Sequence, residues 1–300
     1  MIRPVLAWLL AIGAAPLAAQ DAGQDAAQDA DPPPIVVEGE KRQSEEALTG
    51  LARDLAGNPR ADRPLARFEQ PLCLMVAAGD AELGREVAAR IIDNAKSAKV
   101  RVRSSGCSPN ALVTFSDDAH AQLRDIRKSG RRLFAGISAR EIDAAMGARD
   151  PVYVFQASRE TSATGQEIVA SPEAKGSDGI VGPTNRVFSM GRLKRETRED
   201  MLAALVVVDN GAVAGFSPIQ IADYASLRLL APTGEVDLPE AGAPRTIMTL
   251  FAAPANAPQQ MTRFDRAYLA ALYRMPPGSF SREVLRAAVL EAARGGPDEG

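Results

Sequence analysis

The chain has 300 residues and a formal net charge of −3, which argues against general nucleic-acid binding, because that requires a net basic footprint. Aromatic residues make up only 5% and the single Trp, Trp8, sits near the start, so stacking platforms for sugars or bases are excluded. One histidine, His120, and two cysteines, Cys73 and Cys107, leave little material for a metal centre or a nucleophilic triad.

Residues 1–19 read as a secretory signal: Arg3 is the positive start, an apolar run covers 5–15, and the small pair Ala18-Ala19 precedes polar Gln20. The apolar core is too short to cross a hydrocarbon layer of about 30 Å, so cleavage near Ala19 is expected. No later stretch is apolar enough to span a membrane. The mature product is therefore expected to be periplasmic or secreted, with no transmembrane segment. Residues 20–65 read as a disordered acidic, Pro-rich linker, because DAGQDAAQDADPPP carries no large apolar side chain to offset chain entropy. Within it, the octamer at 35–42 begins Ile35-Val36-Val37 and ends Lys41-Arg42. This octamer resembles the TonB-box-like segment of exported proteins of Gram-negative bacteria. The resemblance implies an envelope protein partner engaged by strand addition; the alternative is a β-prone octamer in a tail.

A short apolar run at 72–77 predicts a buried strand. Asp80 then caps a helix to about Ala98, with Leu83, Val87, Ile91 and Ala95 as its buried stripe. Strict alternation from Lys99 to Arg103 predicts a half-exposed strand with a basic face. Residues 111–116 form a second apolar strand. In an oxidising compartment Cys73 and Cys107, flanking these two strands, most simply form a disulfide. Asp117-Asp118-Ala119-His120 opens a helix to about Lys128. Its carboxylates read as helix-start caps rather than metal ligands. A small helix over 138–147 and a strand over 152–157 follow. Residues 159–191 read as a long surface loop, 192–200 as a solvated charged face, and 202–209 as the most apolar strand.

Ser217-Pro218 is a strong helix start for a largely apolar helix over 219–231. Thr262 and Asp265 form a capping-box-like start for a helix over 263–274. Ser281 is expected to cap a last helix with Val284, Leu285, Ala288, Val289 and Ala292 on one face.

This order resembles the zincin, and more narrowly the metzincin, pattern, in which a buried active-site helix leads to a Met-containing turn and then to a Thr-x-x-Asp…Leu-Tyr helix. Thr246-Ile247-Met248 matches the turn, with Met248 as its methionine. Met261-Thr262-Arg263-Phe264-Asp265 and Leu272-Tyr273 match the helix. The chain is also similar to exported alphaproteobacterial proteins of unknown function that carry Gln-x-x-Asp-Tyr on this helix. Aligned to His-Glu-x-x-His-x-x-Gly-x-x-His, however, it reads Gln220-Ile221-Ala222-Asp223-Tyr224-Ala225-Ser226-Leu227-Arg228-Leu229-Leu230. A zinc protease needs imidazoles for the metal and a carboxylate for its water, and both are replaced. No zinc, no other metal, no cofactor and no metalloprotease activity are expected. The alternative is a helical C-terminal segment with coincidental likeness.

The expected fold is α+β: a mixed four- to five-stranded sheet with packed helices, followed by a helical C-terminal lobe. It forms a single domain over 66–295, with lobes at 66–216 and 217–295. The expected function is a non-catalytic, pseudo-metalloprotease binding or accessory protein of the cell envelope, with Gln220, Asp223 and Tyr224 lining the old cleft. The alternative is a hydrolase using carboxylates such as Asp117, Asp118 or Asp223.

Overall fold

The computed structural model describes residues 44–294, leaving aside 105, 130, 135, 149, 169, 176–180, 184–196 and 237–242. The signal-like segment, the acidic run and the octamer at 35–42 therefore lie outside the described residues. Among the described residues the elements run α1 (Glu45–Leu55), β1 (Leu74–Ala77), α2 (Ala81–Ser97), β2 (Ala111–Ser116), α3 (Ala119–Ser129), α4 (Ala139–Ala148), β3 (Val152–Ser162), β4 (Ala170–Lys175), β5 (Val181–Pro183), β6 (Thr197–Asp209), α5 (Pro218–Leu230), α6 (Arg263–Arg274) and α7 (Ser281–Arg294).

The fold is α+β. One sheet has the order β1-β2-β6-β3. β1, β2 and β6 are parallel, and β3 closes the far edge antiparallel to β6. The central strands are covered on both faces, which is why β2 and β6 read as continuous apolar runs rather than alternating ones. Val113, Phe115, Val206 and Val208 point to the main core under α2 and α5. Leu112, Leu205, Val207 and Phe155 point to a smaller core under α3 and α4. On α2, Val87, Ile91 and Ala95 are fully buried, each large aliphatic contributing about 1.5–3 kcal/mol. Cys73 and Cys107 form a disulfide, with Cα atoms 6.1 Å apart.

Five expectations are corrected. The segment assigned to a linker through residue 65 contains α1, capped by the Ser44 hydroxyl and buried through Leu48, Leu51, Ala52 and Leu55. That spacing is a helical stripe, and α1 packs on α7. The run from Lys99 to Arg103 makes only one bridge, Val102 to Leu72. Lys99 takes a left-handed φ of 68°, where its N–H and that of Val100 close α2 on the carbonyls of Lys96 and Ala95. The segment from 159 on is not all loop: β3 continues to Ser162, and β4 pairs with β5. Arg198 and Asp200 of the charged run lie inside β6 and are paired at 2.7 Å. Ser281 is the first residue of α7 rather than its cap, and its hydroxyl donates to the Arg60 carbonyl at 2.9 Å.

Candidate functional site

α5 starts on a capping box. The Ser217 hydroxyl accepts from Gln220 N at 3.1 Å, and the Gln220 side-chain oxygen accepts from Ser217 N at 3.0 Å. The Gln220 amide then donates to the Pro258 carbonyl at 3.0 Å. Tyr224 packs edge-on against Phe251 at 4.9 Å, and Phe251 against Phe216 at 5.5 Å. The Arg228 guanidinium lies 5.2 Å above the Tyr224 ring and donates to its hydroxyl at 3.0 Å. Ile221 and Leu230 are core residues. At the other end, Gln156 donates to the carbonyls of Arg228 and Ala231, both at 2.6 Å, and Tyr273 to that of Leu230 at 2.7 Å. These bonds satisfy carbonyls that a helix end leaves open.

Gln220, Asp223 and Tyr224 are thus brought together but buried, at 5%, 0% and 6% exposure. This corrects the expectation that they line a cleft. Their polar atoms hold the protein's own backbone and side chains.

Asp223 is the hub. It takes a two-pronged contact from Arg90, at 2.7 and 2.9 Å. It also accepts from Asn94 at 2.7 Å and from Met261 N at 2.7 Å. Asn94 donates on to Ser226 at 2.9 Å. A bidentate guanidinium–carboxylate pair is the strongest form of such a bond, and here it ties α2 to α5 and to the entry of α6. The bond to Asp223 raises the Arg90 pKa further above its already high value.

Arg90 and Asn94 also form one wall of an open groove of about 480 Å³ between α2 and α6. The lining also includes Arg263, Arg266 and Ala270 of α6, the buried Ala98, Met261 and Leu269, and Glu291 of α7. A second groove of about 340 Å³ shares Gln260, Met261 and Arg266 with the first, and adds Arg245, Asn256 and Gln259. The two linings together hold four arginines and one glutamate. Asp223 lies behind this wall, not on it.

Thr246-Ile247-Met248 forms a tight turn against α5. It is pinned by Asp265 of α6, whose carboxylate accepts from the Thr246 hydroxyl at 2.5 Å and Ile247 N at 2.9 Å. Asp265 also accepts from Thr262 N at 2.9 Å, completing the capping box. Met248 is buried, at 6% exposure. Burial pushes the Asp265 carboxyl up to about 6, against the pull of these hydrogen bonds.

Asp118 and His120 lie on the other face of the sheet, in an open crevice of about 380 Å³ with Asp150, Tyr153 and Asp209. The crevice sits outside the carboxyl ends of β2 and β6. Asp118 caps α3 through Ala121 N at 2.7 Å, Asp117 accepts from Asn210 at 2.6 Å, and Asp209 caps the next turn through Gly211 N at 2.9 Å. Asp223 belongs to the main core side, so the three carboxylates proposed for a hydrolase do not meet. Among the described residues no group of three or more His, Cys, Asp or Glu side chains is placed to hold a metal, and no helix is long and apolar enough to cross a membrane.

The groove escapes sequence reasoning because its walls come from α2, α6 and α7. The one local signal is the spacing of Arg90 and Asn94, and of Arg263, Arg266 and Ala270, each set on a single helical stripe. No protein-family model, curated protein or solved structure matches this chain at a significant level.

Proposed function

We propose that this chain is an exported, non-catalytic protein of the cell envelope, built on a zincin-like scaffold without a metal site and acting by binding. The carrying observation is the state of the aligned ligand positions. Gln220, Tyr224 and Leu230, with Ile221 at the general-base position, are buried and engaged in capping or packing. Zinc ligation requires imidazole, thiolate or carboxylate donors aimed at a common point, and these residues do not fit that requirement. Scaffold ancestry is supported by the buried α5, by the Met248 turn lying against it, and by the Asp265 clamp that joins this turn to α6. Export is supported by the signal-like start and by the Cys73–Cys107 disulfide, a bond that persists in oxidising compartments. The octamer at 35–42 is the segment proposed to engage an envelope partner.

Metal analysis and a proteolysis assay on protein purified from the periplasm test this reading. No stoichiometric zinc and no metal-dependent cleavage are expected; stoichiometric zinc overturns it. N-terminal sequencing should place the mature start near Gln20. Deleting 35–42 should remove a co-purifying envelope protein, and unchanged partners would sink that part.

The alternative is a carboxylate hydrolase. The crevice of Asp118, His120, Asp150 and Asp209 is the one described place where carboxylates and a histidine share open space. Hydrolysis of a test substrate that is lost in Asp118→Asn and Asp209→Asn would favour it.

A further inference from the structure

We infer that the outer edge of β1 pairs with β1 of a second copy of this chain, giving a two-fold dimer with one continuous sheet. β1 is an edge strand in the order β1-β2-β6-β3. Successive residues of a strand turn their backbone groups to alternate sides. The Cys73 carbonyl accepts from Ala111 N at 3.2 Å, on the β2 side. Leu72 turns the other way: its N–H donates to the Arg101 carbonyl at 2.7 Å, and its carbonyl accepts from Arg103 N at 2.8 Å. Leu74 and Val76 therefore also present N–H and C=O outward. The neighbouring run leaves the edge after Arg103, where Gly106 takes a φ of 85° and Cys107 is tied to Cys73. Among the described residues nothing bonds to the outward groups of Leu74 and Val76. Such a row is a template for another strand.

The row is self-complementary. An antiparallel copy with its Val76 opposite Leu74, and its Leu74 opposite Val76, satisfies all four groups, because each such pair exchanges two backbone bonds. Met75 then falls on the two-fold axis, facing Met75 of the second copy in the closer, non-hydrogen-bonded kind of pair. Met75 is one of two large apolar side chains exposed among the described residues, at 44%. It stands beside Leu112 of the smaller core, so the methionine pair carries that apolar face across the junction. Charge fits the same arrangement. Arg103 lies at the start of the edge, and Glu82 opens the helix that follows β1. Reversing one copy sets the basic end of each edge toward the acidic end of the other. An unrelated strand could fill the backbone groups; the methionine at the axis and the opposed charges single out a second copy.

This inference does not rest on the zincin-like reading, since β1 lies away from α5 and its turn. The test is sedimentation of the mature full-length protein over a concentration series, where reversible dimerisation is expected. Met75→Lys sets like charges opposite each other and should weaken association at least roughly tenfold. Val76→Pro removes an outward N–H that the monomer does not use, so it should fold and also weaken the dimer. Ile219→Lys, at the other exposed large apolar residue, should change nothing. Under oxidation Met75→Cys should cross-link two copies, because its Cα atoms would be about 4.5 Å apart. Ala77→Cys should not, because its copies would be about 14 Å apart. Circular dichroism establishes that each variant is folded. A wild type that stays monomeric, a dimer that the folded Met75→Lys and Val76→Pro variants leave intact, or cross-linking at Ala77→Cys as strong as at Met75→Cys would each overturn the inference. So would a monomer whose edge is filled by a foreign strand that Val76→Pro releases.

Discussion

Asp223 and Asp265 are the two carboxylates with no solvent exposure among the described residues, and both fix the start of α6. Asp223 receives Met261 N, and Asp265 receives Thr262 N. They differ in what else surrounds them. Asp223 faces the Arg90 guanidinium at 2.7 Å, so its charge is buried with a counter-charge. Among the described residues Asp265 is held by neutral donors, the Thr246 hydroxyl and two backbone N–H groups. Burial dominates there, and its carboxyl rises to about 6. The same residue type at the same depth is thus a charge anchor in one place and a reluctant anion in the other. What decides is the partner, since desolvation is offset by an opposite charge far more than by neutral hydrogen bonds.

The largest expected effect separates the two by isosteric substitution. Asp223→Asn leaves the Arg90 charge without its counter-ion, next to an amide that cannot accept from all four donors. A loss of about 3 kcal/mol is expected at neutral pH. Asp265→Asn removes a buried charge that was costly there, and loses one acceptor in return. About 1 kcal/mol or less is expected. Urea unfolding of both variants beside the wild type measures the difference. Equal losses, or a larger one at Asp265, would break the comparison.

How much of this was legible in sequence follows the same physics. Local signals read well. Thr262 and Asp265 marked the start of α6, Ser217-Pro218 that of α5, and the spacing of Val87, Ile91 and Ala95 set α2. The pairing of Cys73 with Cys107 followed from parity and from the expected oxidising compartment. Signals masked by their neighbours were lost. The stripe of Leu48, Leu51 and Leu55 stands beside an acidic, low-complexity run. The alternation from Lys99 to Arg103 is cancelled by one left-handed residue. The start of β6 is charged because its pairs are satisfied across strands, as Ser158 with Glu199 at 2.6 Å and Thr161 with Asp200 at 3.0 Å. Long-range partnerships were not legible at all. Asp223 looked like a cleft residue because nothing local announces Arg90, far upstream on α2.

The second effect is a pH dependence at Asp265. Its folded value of about 6 lies above the ordinary 3.8, so between those values the folded state binds a proton that the unfolded state does not. Stability from this group therefore grows as pH falls through 6 and is complete below the unfolded value. Other carboxylates run the opposite way; Glu141, for instance, is lowered by the Ser138 hydroxyl. The useful quantity is the stability of the wild type minus that of Asp265→Asn. This difference should rise by about 2 kcal/mol between neutral pH and the ordinary carboxylate range. A flat difference would mean that the neutral donors hold Asp265 ionised as effectively as Arg90 would.

The smallest effect tests whether charge, rather than hydrogen-bond number, makes the Asp223 cluster strong. Ser226 accepts from Asn94 at 2.9 Å and donates to the Ala222 carbonyl at 2.7 Å. Asn94 also donates to Asp223 at 2.7 Å, so Ser226→Ala leaves that amide anchored. The Ala222 carbonyl keeps its place in α5. The serine is fully buried, yet only neutral bonds are lost, and about 1 kcal/mol is expected. If the cluster works by counting bonds, Ser226→Ala should approach Asp223→Asn in cost. If the ion pair dominates, the two should differ by about 2 kcal/mol, and Ser226→Ala should leave the salt dependence of unfolding unchanged where Asp223→Asn alters it.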